Sequence, residues 1–308
     1  MTDAEQILVS VCVTTYNSGK TVLATLDSIL DQSYHRLELI VSDDCSTDDT
    51  IAICRKWLEA HKDRFEKITV LTSGKNGGVA VNLNKAIRAT SGEWVKTIAG
   101  DDLLMPDCIT DNMDFVSNHE EAGIIFSRML YFTEENGDRV LSDYSKPDRE
   151  SLSFFNESPM EQYKKLLLSC RFIPGVSNFQ KRSFALEHPY PEEYSFCEDW
   201  PHWTHLAKSG IPLLYFDKET VLYRLNGSLS HAGKDTFINE KFHYSMISFF
   251  YSERYHALLS FDPESAGIQK KEFFLGELAI NLFGNRRNFF TRALLFIFKL
   301  FLGVRKVQ

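Results

Sequence analysis

VSVCVTTYNSGKTVLATLDSILDQSYHRLELIVSDDCSTDDT, residues 9–50, contains two short apolar runs with a helical pattern between them. The runs at 9–15 and 37–44 are typical of buried strands. The apolar residues between them share one helical face: Val22, Leu23, Leu26, Ile29 and Leu30. This order predicts two parallel strands joined by a helix.

The same alternation continues on the C-terminal side of this stretch. Strand patterns at 67–73 and 93–102 flank a turn at 76–78 and a helix. The sequence therefore predicts an α/β fold with a doubly wound, mostly parallel sheet. Further elements are predicted after Pro106: helices at 107–118, 160–169, 199–209 and 235–258, strands at 122–133 and 213–217, a hairpin turn at 136–137, and a polar surface loop at 142–160.

Composition narrows the class of protein. The 308 residues are 44% apolar and 25% charged, enough apolar residues for a full core. The net charge of −8 argues against non-specific nucleic-acid binding. The six cysteines are scattered without a CxxC spacing, and the N-terminus has no apolar signal core, so we expect a reducing cytosol.

The C-terminal segment differs in charge from the rest of the chain. Residues 281–308 contain six basic and no acidic residues, and residues 293–304 are apolar except for Lys299. On a helix, Arg292, Lys299 and Lys306 would share one stripe. This pattern predicts an interfacial membrane helix over 289–306, with docking on the protein's own core or on a second subunit as the alternative.

Acidic pairs follow two of the predicted strands. Asp43-Asp44 ends the second strand and Asp101-Asp102 ends the fourth, so both pairs should meet at one edge of the sheet. Neither GxGxxG after the first strand nor GxxxxGK[ST] is present, which excludes the usual phosphate cradles. Carboxylates suit Mg²⁺ or Mn²⁺, so the edge predicts a metal-bridged nucleotide site. One pair alone would be read as turn residues.

These motifs resemble those of a known family. Residues 9–50 are similar to the opening of the family 2, inverting, GT-A-fold glycosyltransferases, VSVIIPTYN…SxxxQxxxxxEIIVVDDGSTDxT. Four further motifs follow in the family's order: NGGVAVNLNKAI (76–87), SGEWVKTIAGDDLLMPD (91–107), CEDWPHW (197–203) and LYRLNGSLS (222–230). The resemblance implies a GT-A fold with a C-terminal helical extension, divided into a nucleotide-sugar half (1–105), an acceptor half (106–232) and C-terminal helices with a basic tail (233–308).

The resemblance also implies roles for individual residues. The nucleotide would be bound by Thr14, Tyr16, Asn17, Asp43, Asp44, Asn76 and Asp101. Tyr16 would stack on the base, Asp44 would accept from uracil N3–H, and Asp43 would support that loop. Asp102, with Asp101 and His231, would hold Mn²⁺ or Mg²⁺. Asp199, beside Glu198, would be the general base that deprotonates the acceptor hydroxyl.

The acceptor side is implied less directly. Trp200, Trp203 and Asn178 would contact the acceptor sugar, with Trp200 preferred over Trp203 as the stacking ring. Arg224 and Ser228 would belong to a loop that closes over the diphosphate, and a structural ion pair is the alternative for Arg224. Helix core is the alternative for the tryptophans.

Several positions depart from the family pattern. Ala99-Gly100-Asp101-Asp102 lacks the first acid of DxDD, Leu83 replaces an Arg, and Asn226 replaces a His. QxxRW after Asp199 and the multi-span helices of processive synthases are missing, which favours a single-addition transferase.

The resemblance leads to one preferred function and two alternatives. We expect a cytoplasmic enzyme, peripheral at the inner face of the cytoplasmic membrane. It would move one sugar from a nucleotide donor, with UDP-sugars preferred, to a glycan or lipid-linked glycan in polysaccharide or O-antigen synthesis. The alternatives are a transferase acting on a protein or soluble glycan, and a catalytically silent scaffold.

Overall fold

A computed structural model of the chain describes residues 7–135, 138–149, 151–194, 196–225, 236 and 238–286. The chain divides into two compact units, Met1–Asn226 and Gly227–Gln308. The predicted boundary at 232/233 lies outside the described residues. Strands from both sides of the predicted boundary at 105/106 belong to the same sheet.

The first unit is a mixed α/β structure. Its described strands are β1 (Val9–Thr15), β2 (Leu37–Asp43), β3 (Lys67–Thr72), β4 (Trp94–Ala99), β5 (Leu103–Leu104), β6 (Ile124–Glu135), β7 (Asp138–Lys146), β8 (Phe179–Lys181) and β9 (Leu214–Arg224). Its described helices are α1 (Val22–Leu30), α2 (Thr50–Ala60), α3 (Val79–Arg88), α4 (Cys108–Val116), α5 (Pro159–Leu168), α6 (Arg182–Glu187) and α7 (Asp199–Lys208). Short 3₁₀ turns occur at Lys62–Arg64, Ser151–Asn156 and Gly175–Ser177.

The strands form one sheet in the order β3-β2-β1-β4-β8-β6-β9-β5, with β7 paired to β6. The β3-β2-β1-β4 half is parallel throughout, β8 pairs antiparallel with β4 and β6, and β9 runs parallel to β6. These pairings confirm the predicted α/β fold with a mostly parallel sheet.

Helices cover both faces of the parallel half. Val9, Val11 and Val13 of β1 are fully buried and pack in one core cluster with α1, α2 and α4. Cys12, which points to the other face, packs in a second cluster with α3, α5 and α7. Burial on both faces explains why β1 and β2 read as largely apolar runs rather than as alternating patterns.

Two predicted elements differ from the structure. Residues 142–160, predicted as a polar loop, include the end of β7, the 3₁₀ turn Ser151–Asn156 and the start of α5. β7 reads as polar because, among the described strands, it pairs with β6 alone and its side chains are mostly exposed. The strand predicted at 93–102 ends at Ala99, so the pair at 101–102 lies in the turn beyond it.

The described part of the second unit is helical. It contains α8 (Glu240–Phe249), a π-helical turn (Phe250–Arg254), α9 (Tyr255–Phe261) and α10 (Pro263–Phe283). Asp262 caps α10 by accepting from the Ser265 N–H at 3.0 Å, and Gly284 ends it with φ of 61°. No helix within 7–286, apart from the gaps given above, is both long and apolar enough to cross a bilayer. The predicted membrane segment 289–306 lies outside the described residues.

A buried carboxylate joins β1, β2 and the turn before β4. Glu38 is 1% exposed and accepts hydrogen bonds from the Ser10 hydroxyl, from the Ser91 hydroxyl and N–H, and from the Gly92 N–H. Burial alone would raise its pKa, but these hydrogen bonds outweigh burial, so the pKa lies below the usual value of 4.5.

Glu38→Ala is therefore expected to lower the free energy of unfolding by about 3 kcal/mol, because buried donors lose their acceptor. Urea denaturation measures this, with exposed Glu59→Ala as the control. The contribution of the Glu38 carboxylate to the free energy of unfolding should be present above pH 4.5. It should be lost as the pH falls through the lowered pKa of the folded state. A change below about 0.5 kcal/mol would contradict this role.

Candidate active site

The carboxyl ends of β1, β2 and β4 meet at one edge of the sheet. Thr15 is paired in register with Asp43, and Thr14 is paired with Ala99. The Gly100 N–H donates to the Thr14 carbonyl at 2.9 Å. The residues after each strand, including both acidic pairs, therefore share the position at which open α/β sheets bind ligands.

The loops after β1 and β2 are joined by side-chain hydrogen bonds. Asp43 accepts from the Thr15 hydroxyl at 2.8 Å and from the Ser46 N–H at 2.8 Å. Asn17, with φ of 52°, accepts from the Thr47 N–H at 2.8 Å. Tyr16 lies between Thr15 and Asn17 in the chain and is 46% exposed, so part of its side chain is accessible.

Asp44 is buried, and its carboxylate binds the turn before α3. Its two oxygens accept from the N–H groups of Gly77 and Gly78, each at 2.8 Å. Gly78 has φ of 91°, a conformation that favours glycine, which explains the NGG sequence. Each carboxylate oxygen retains capacity for a second hydrogen bond, so Asp44 can still accept from a base. Asn76, next to this turn, is exposed.

Asp101 and Asp102 form a poorly solvated acidic pair. Asp102 is 2% exposed, and its Oδ1 accepts from the Arg224 N–H at 2.9 Å. Burial raises the pKa of both carboxyls, and the charge on Asp101 raises the pKa of Asp102 further. Two adjacent carboxylates offer the oxygen ligands that a hard divalent cation prefers. The described residues contain no cluster of three His, Cys, Asp or Glu, and His231 lies outside them.

Arg224 is buried next to this acidic pair. It is 4% exposed; its Nε donates to the Asp101 carbonyl at 2.7 Å, and its Nη1 pairs with Glu134 at 2.7 Å. Its guanidinium also lies 4.6 Å from the centre of the Phe132 ring. These contacts match the structural ion pair given above as the alternative for Arg224, and its closure over a diphosphate stays a prediction. Ser228 lies outside the described residues.

Glu198 and Asp199 stand at the N-terminus of α7. Asp199 is the first residue of the helix, where the helix dipole favours negative charge. Burial nevertheless raises the pKa of Asp199 to about 6, and the positive charge of Lys146 opposes this. Burial and the neighbouring Asp199 charge raise the pKa of Glu198 as well. At neutral pH the pair can therefore present one carboxylate that is more basic than usual.

The three residues expected at the acceptor are placed differently. Trp203 is 1% exposed and packs edge-on against Phe126, with ring centres 5.0 Å apart, so it belongs to the core. Asn178 is 4% exposed and donates to the Gly175 carbonyl at 2.7 Å, which makes it structural. Trp200 is partly exposed, and its Nε1 donates to the Leu166 carbonyl at 2.6 Å. The burial of Trp203 fits the helix-core alternative, and the acceptor roles of Trp200, Trp203 and Asn178 stay predictions.

Two residues near this site were missed by sequence reasoning. Lys96 on β4 is fully buried, and burial lowers its pKa to about 8. Tyr190 is 2% exposed, and its ring stacks on His202 of α7 with ring centres 4.2 Å apart; burial and the charge on Asp199 raise its pKa. A lysine within the apolar run WVKTIA was the available signal for Lys96.

Two solved structures have a fold similar to that of this chain. TarS of S. aureus in complex with UDP-GlcNAc is 21% identical, with a TM-score of 0.58, covering 94% of this chain and 78% of that one. The mannosyltransferase PcManGT from Pyrobaculum calidifontis, in complex with GDP-Man and Mn²⁺, is 19% identical, with a TM-score of 0.56 over 98% of this chain and 82% of that one. At these identities the likeness establishes the GT-A fold alone.

Sequence relatives extend the comparison. The putative glycosyltransferase EpsE of Bacillus subtilis is 33% identical over 141 residues, which are 45% of this chain and half of EpsE. The Escherichia coli protein WfaP, a UDP-Glc:alpha-D-GlcNAc-diphosphoundecaprenol beta-1,3-glucosyltransferase, is 26% identical over 230 residues, 74% of this chain and 81% of that protein. The family model for glycosyl transferase family 2 matches residues 10–181, more than half of the chain. The chain therefore belongs to glycosyl transferase family 2.

Proposed function

We propose that this glycosyltransferase is non-processive and inverting, and that it moves one sugar from a nucleotide-sugar to a sugar acceptor. The observation that carries the proposal is the Glu198–Asp199 pair, a carboxylate of raised pKa at the start of α7. It lies in the same unit as the sheet edge that bears Tyr16, Asp44 and Asp102.

The nucleotide end of the donor would bind at the ends of β1 and β2. The exposed ring of Tyr16 offers a stacking surface for a base, and Thr14, at the end of β1, would line the pocket beside it. Asp44, held by Gly77 and Gly78, would accept an N–H from the base. Uracil and thymine both offer such a group, and we favour a UDP-sugar.

Asp101 and Asp102 would hold Mn²⁺ or Mg²⁺ at the diphosphate. A bound cation supplies charge neutralisation for the departing nucleoside diphosphate. The raised pKa values of both carboxyls support this role, because a cation relieves the repulsion that otherwise favours protonation.

Asp199 would accept the proton of the acceptor hydroxyl as that oxygen attacks the anomeric carbon. With a pKa raised to about 6, it is ionised at neutral pH and is a stronger base than an ordinary aspartate. One displacement at the anomeric carbon inverts its configuration. Glu198, whose pKa is also raised, would keep the pair from carrying two charges.

The acceptor is proposed from relatives and from charge. The name of WfaP describes transfer to a diphosphoundecaprenol-linked sugar, and that of TuaG of Bacillus subtilis refers to teichuronic acid biosynthesis. We propose a lipid-linked glycan acceptor in bacterial surface-polysaccharide synthesis, of which O-antigen is one example. The acid-free basic segment 289–306 would hold the enzyme at the inner membrane surface.

A panel of nucleotide-sugars tests the enzyme. UDP-, dTDP- and GDP-sugars would be titrated into the protein in Mn²⁺, in Mg²⁺ and in EDTA, and donor hydrolysis would be followed in parallel. Binding of one UDP-sugar that requires metal supports the proposal. If none of these nucleotide-sugars binds in Mn²⁺ or in Mg²⁺, the catalytically silent scaffold is favoured. The missing acid at Ala99 would then explain the loss of binding.

Deletion of 289–308 separates the two classes of acceptor. We expect transfer to a lipid-linked acceptor in anionic vesicles to fall at least about tenfold, because each basic residue near the surface contributes about 1 kcal/mol of membrane attraction. Transfer to a short soluble acceptor should stay the same. Equal rates on vesicles for both forms would favour the soluble-glycan or protein acceptor.

The pH profile tests the base. Since Asp199 must be ionised, kcat is expected to fall on the acid side, with a midpoint near pH 6. Lys146 lowers the pKa of Asp199, so Lys146→Met should move this midpoint to higher pH. Lys164→Met, which removes an exposed lysine paired with Glu161, is the control. An unmoved midpoint in Lys146→Met would contradict the assignment.

A further inference from the structure

The carboxylate of Asp199 lies directly against the backbone of Gly175. A Cβ added to Gly175 would stand 2.4 Å from Asp199 Oδ2 and 3.3 Å from its Cγ, whereas ordinary contact begins at 3.4 Å. The same Cβ would be 3.8 Å from Trp203 Nε1, so the tryptophan leaves room and the carboxylate does not. The bare Cα of Gly175 thus defines one side of the space that Asp199 occupies.

The turn that carries Gly175 is fixed from two strands. From β4, Lys96 Nζ donates to the Val176 carbonyl at 2.5 Å and to the Asn178 carbonyl at 3.1 Å. From β6, the Ser127 N–H donates to the Ser177 hydroxyl at 3.0 Å, and that hydroxyl donates to the Pro174 carbonyl at 2.7 Å. Both donors are buried, and their strands β4 and β6 flank β8, the strand that follows the turn.

The turn is also closed upon itself. The Asn178 side chain donates to the Gly175 carbonyl at 2.7 Å, and its backbone N–H donates to the same oxygen at 3.2 Å. A surface turn needs neither a buried lysine nor a carbonyl that accepts two hydrogen bonds. Burying an ammonium group is costly unless it makes good hydrogen bonds. The arrangement therefore holds the Gly175 Cα at a defined place.

We propose that the turn 174–178, anchored by Lys96 and Ser177, is a seat that positions the Asp199 carboxylate, and that Gly175 is its contact point. The inference rests on the proposed role of Asp199 as the base. The residues of the seat are positioning residues, since they act through Asp199. A displacement of a reacting group by about 1 Å can cost about 100-fold in rate.

Gly175→Ala is the direct test, because the new methyl group must push the carboxylate away by about that distance. We expect kcat to fall about 10- to 1,000-fold, with the dissociation constant of the nucleotide-sugar and the melting temperature close to those of the wild type. Gly267→Ala is the control, since a Cβ there meets nothing within 4 Å. Ser177→Ala adds no atom and loosens the turn, so it should lower kcat by a smaller factor.

The double variants decide whether the effect acts through the carboxylate. In an Asp199→Asn background, Gly175→Ala and Ser177→Ala should cause little further loss, because the base is already absent. Equal losses of kcat in both backgrounds, or wild-type kcat in both single variants, would show that the turn does not position Asp199. The role of Asp199 as the base would remain intact. If Asp199→Asn itself retains activity, the proposed role of Asp199 as the base fails, and this outcome is distinct from the other two.

Discussion

Asp199→Asn is expected to lower kcat for sugar transfer by about 10²–10⁴-fold, the usual value of general-base assistance. Asparagine has the same shape as aspartate, so it fits the space against Gly175, but its amide cannot take a proton from the acceptor hydroxyl. Donor binding should persist, because Asp199 acts on the acceptor and not on the nucleotide.

The measurement is a steady-state transfer assay with donor affinity determined by calorimetry on the same preparations. Asp114→Asn, which neutralises an exposed aspartate on α4, is the matched control. A kcat within about threefold of the wild type would show that another group deprotonates the acceptor. A loss of donor affinity equal to the loss of kcat would point to misfolding instead.

The parallel half of the fold could be predicted because its signals are local. β1 was predicted at 9–15 and spans Val9–Thr15, since a strand buried on both faces is an unbroken apolar run. Helix α7 was predicted at 199–209 and spans Asp199–Lys208. The acidic pairs were predicted to share an edge, and parallel register places them there.

What could not be predicted depends on contacts between distant residues. The polar residues of β7 become a strand only because β6 offers a free edge. Arg224 is held inside by a hydrogen bond to the Asp101 carbonyl and an ion pair with Glu134. Neither residue is near Arg224 in sequence. Trp200 is preferred over Trp203 from the sequence, but the packing of Trp203 against Phe126 in the core depends on a contact that the sequence pattern does not give.

The contact between Gly175 and Asp199 illustrates the same limit. The two residues are far apart in sequence, and a single glycine in a loop carries no pattern that names its partner. Lys96 could be flagged as unusual within an apolar strand, but its carbonyl partners at Val176 and Asn178 follow from the antiparallel pairing of β4 with β8.

Asp102→Asn is expected to weaken metal-dependent binding of the nucleotide-sugar by at least about 100-fold. Changes to groups that merely support metal ligands already cost about 10–100-fold in affinity, and Asp102 would be a ligand itself. Asparagine retains an oxygen that can accept from the Arg224 N–H, so the fold of this turn should survive. Asp63→Asn, at an exposed position, is the control.

The raised pKa of Asp102 gives this prediction a second readout. Burial and the charge on Asp101 raise the pKa of Asp102, so a cation that binds there competes with a proton. The measured binding enthalpy in the presence of Mn²⁺ should therefore vary with the ionisation enthalpy of the buffer, and affinity should fall as the pH is lowered. Asp102→Asn should lose much of this buffer dependence. Equal donor affinity in Mn²⁺ and in EDTA for the wild type would show that the acidic pair holds no metal, and the charge of the departing diphosphate would then have to be met by basic side chains.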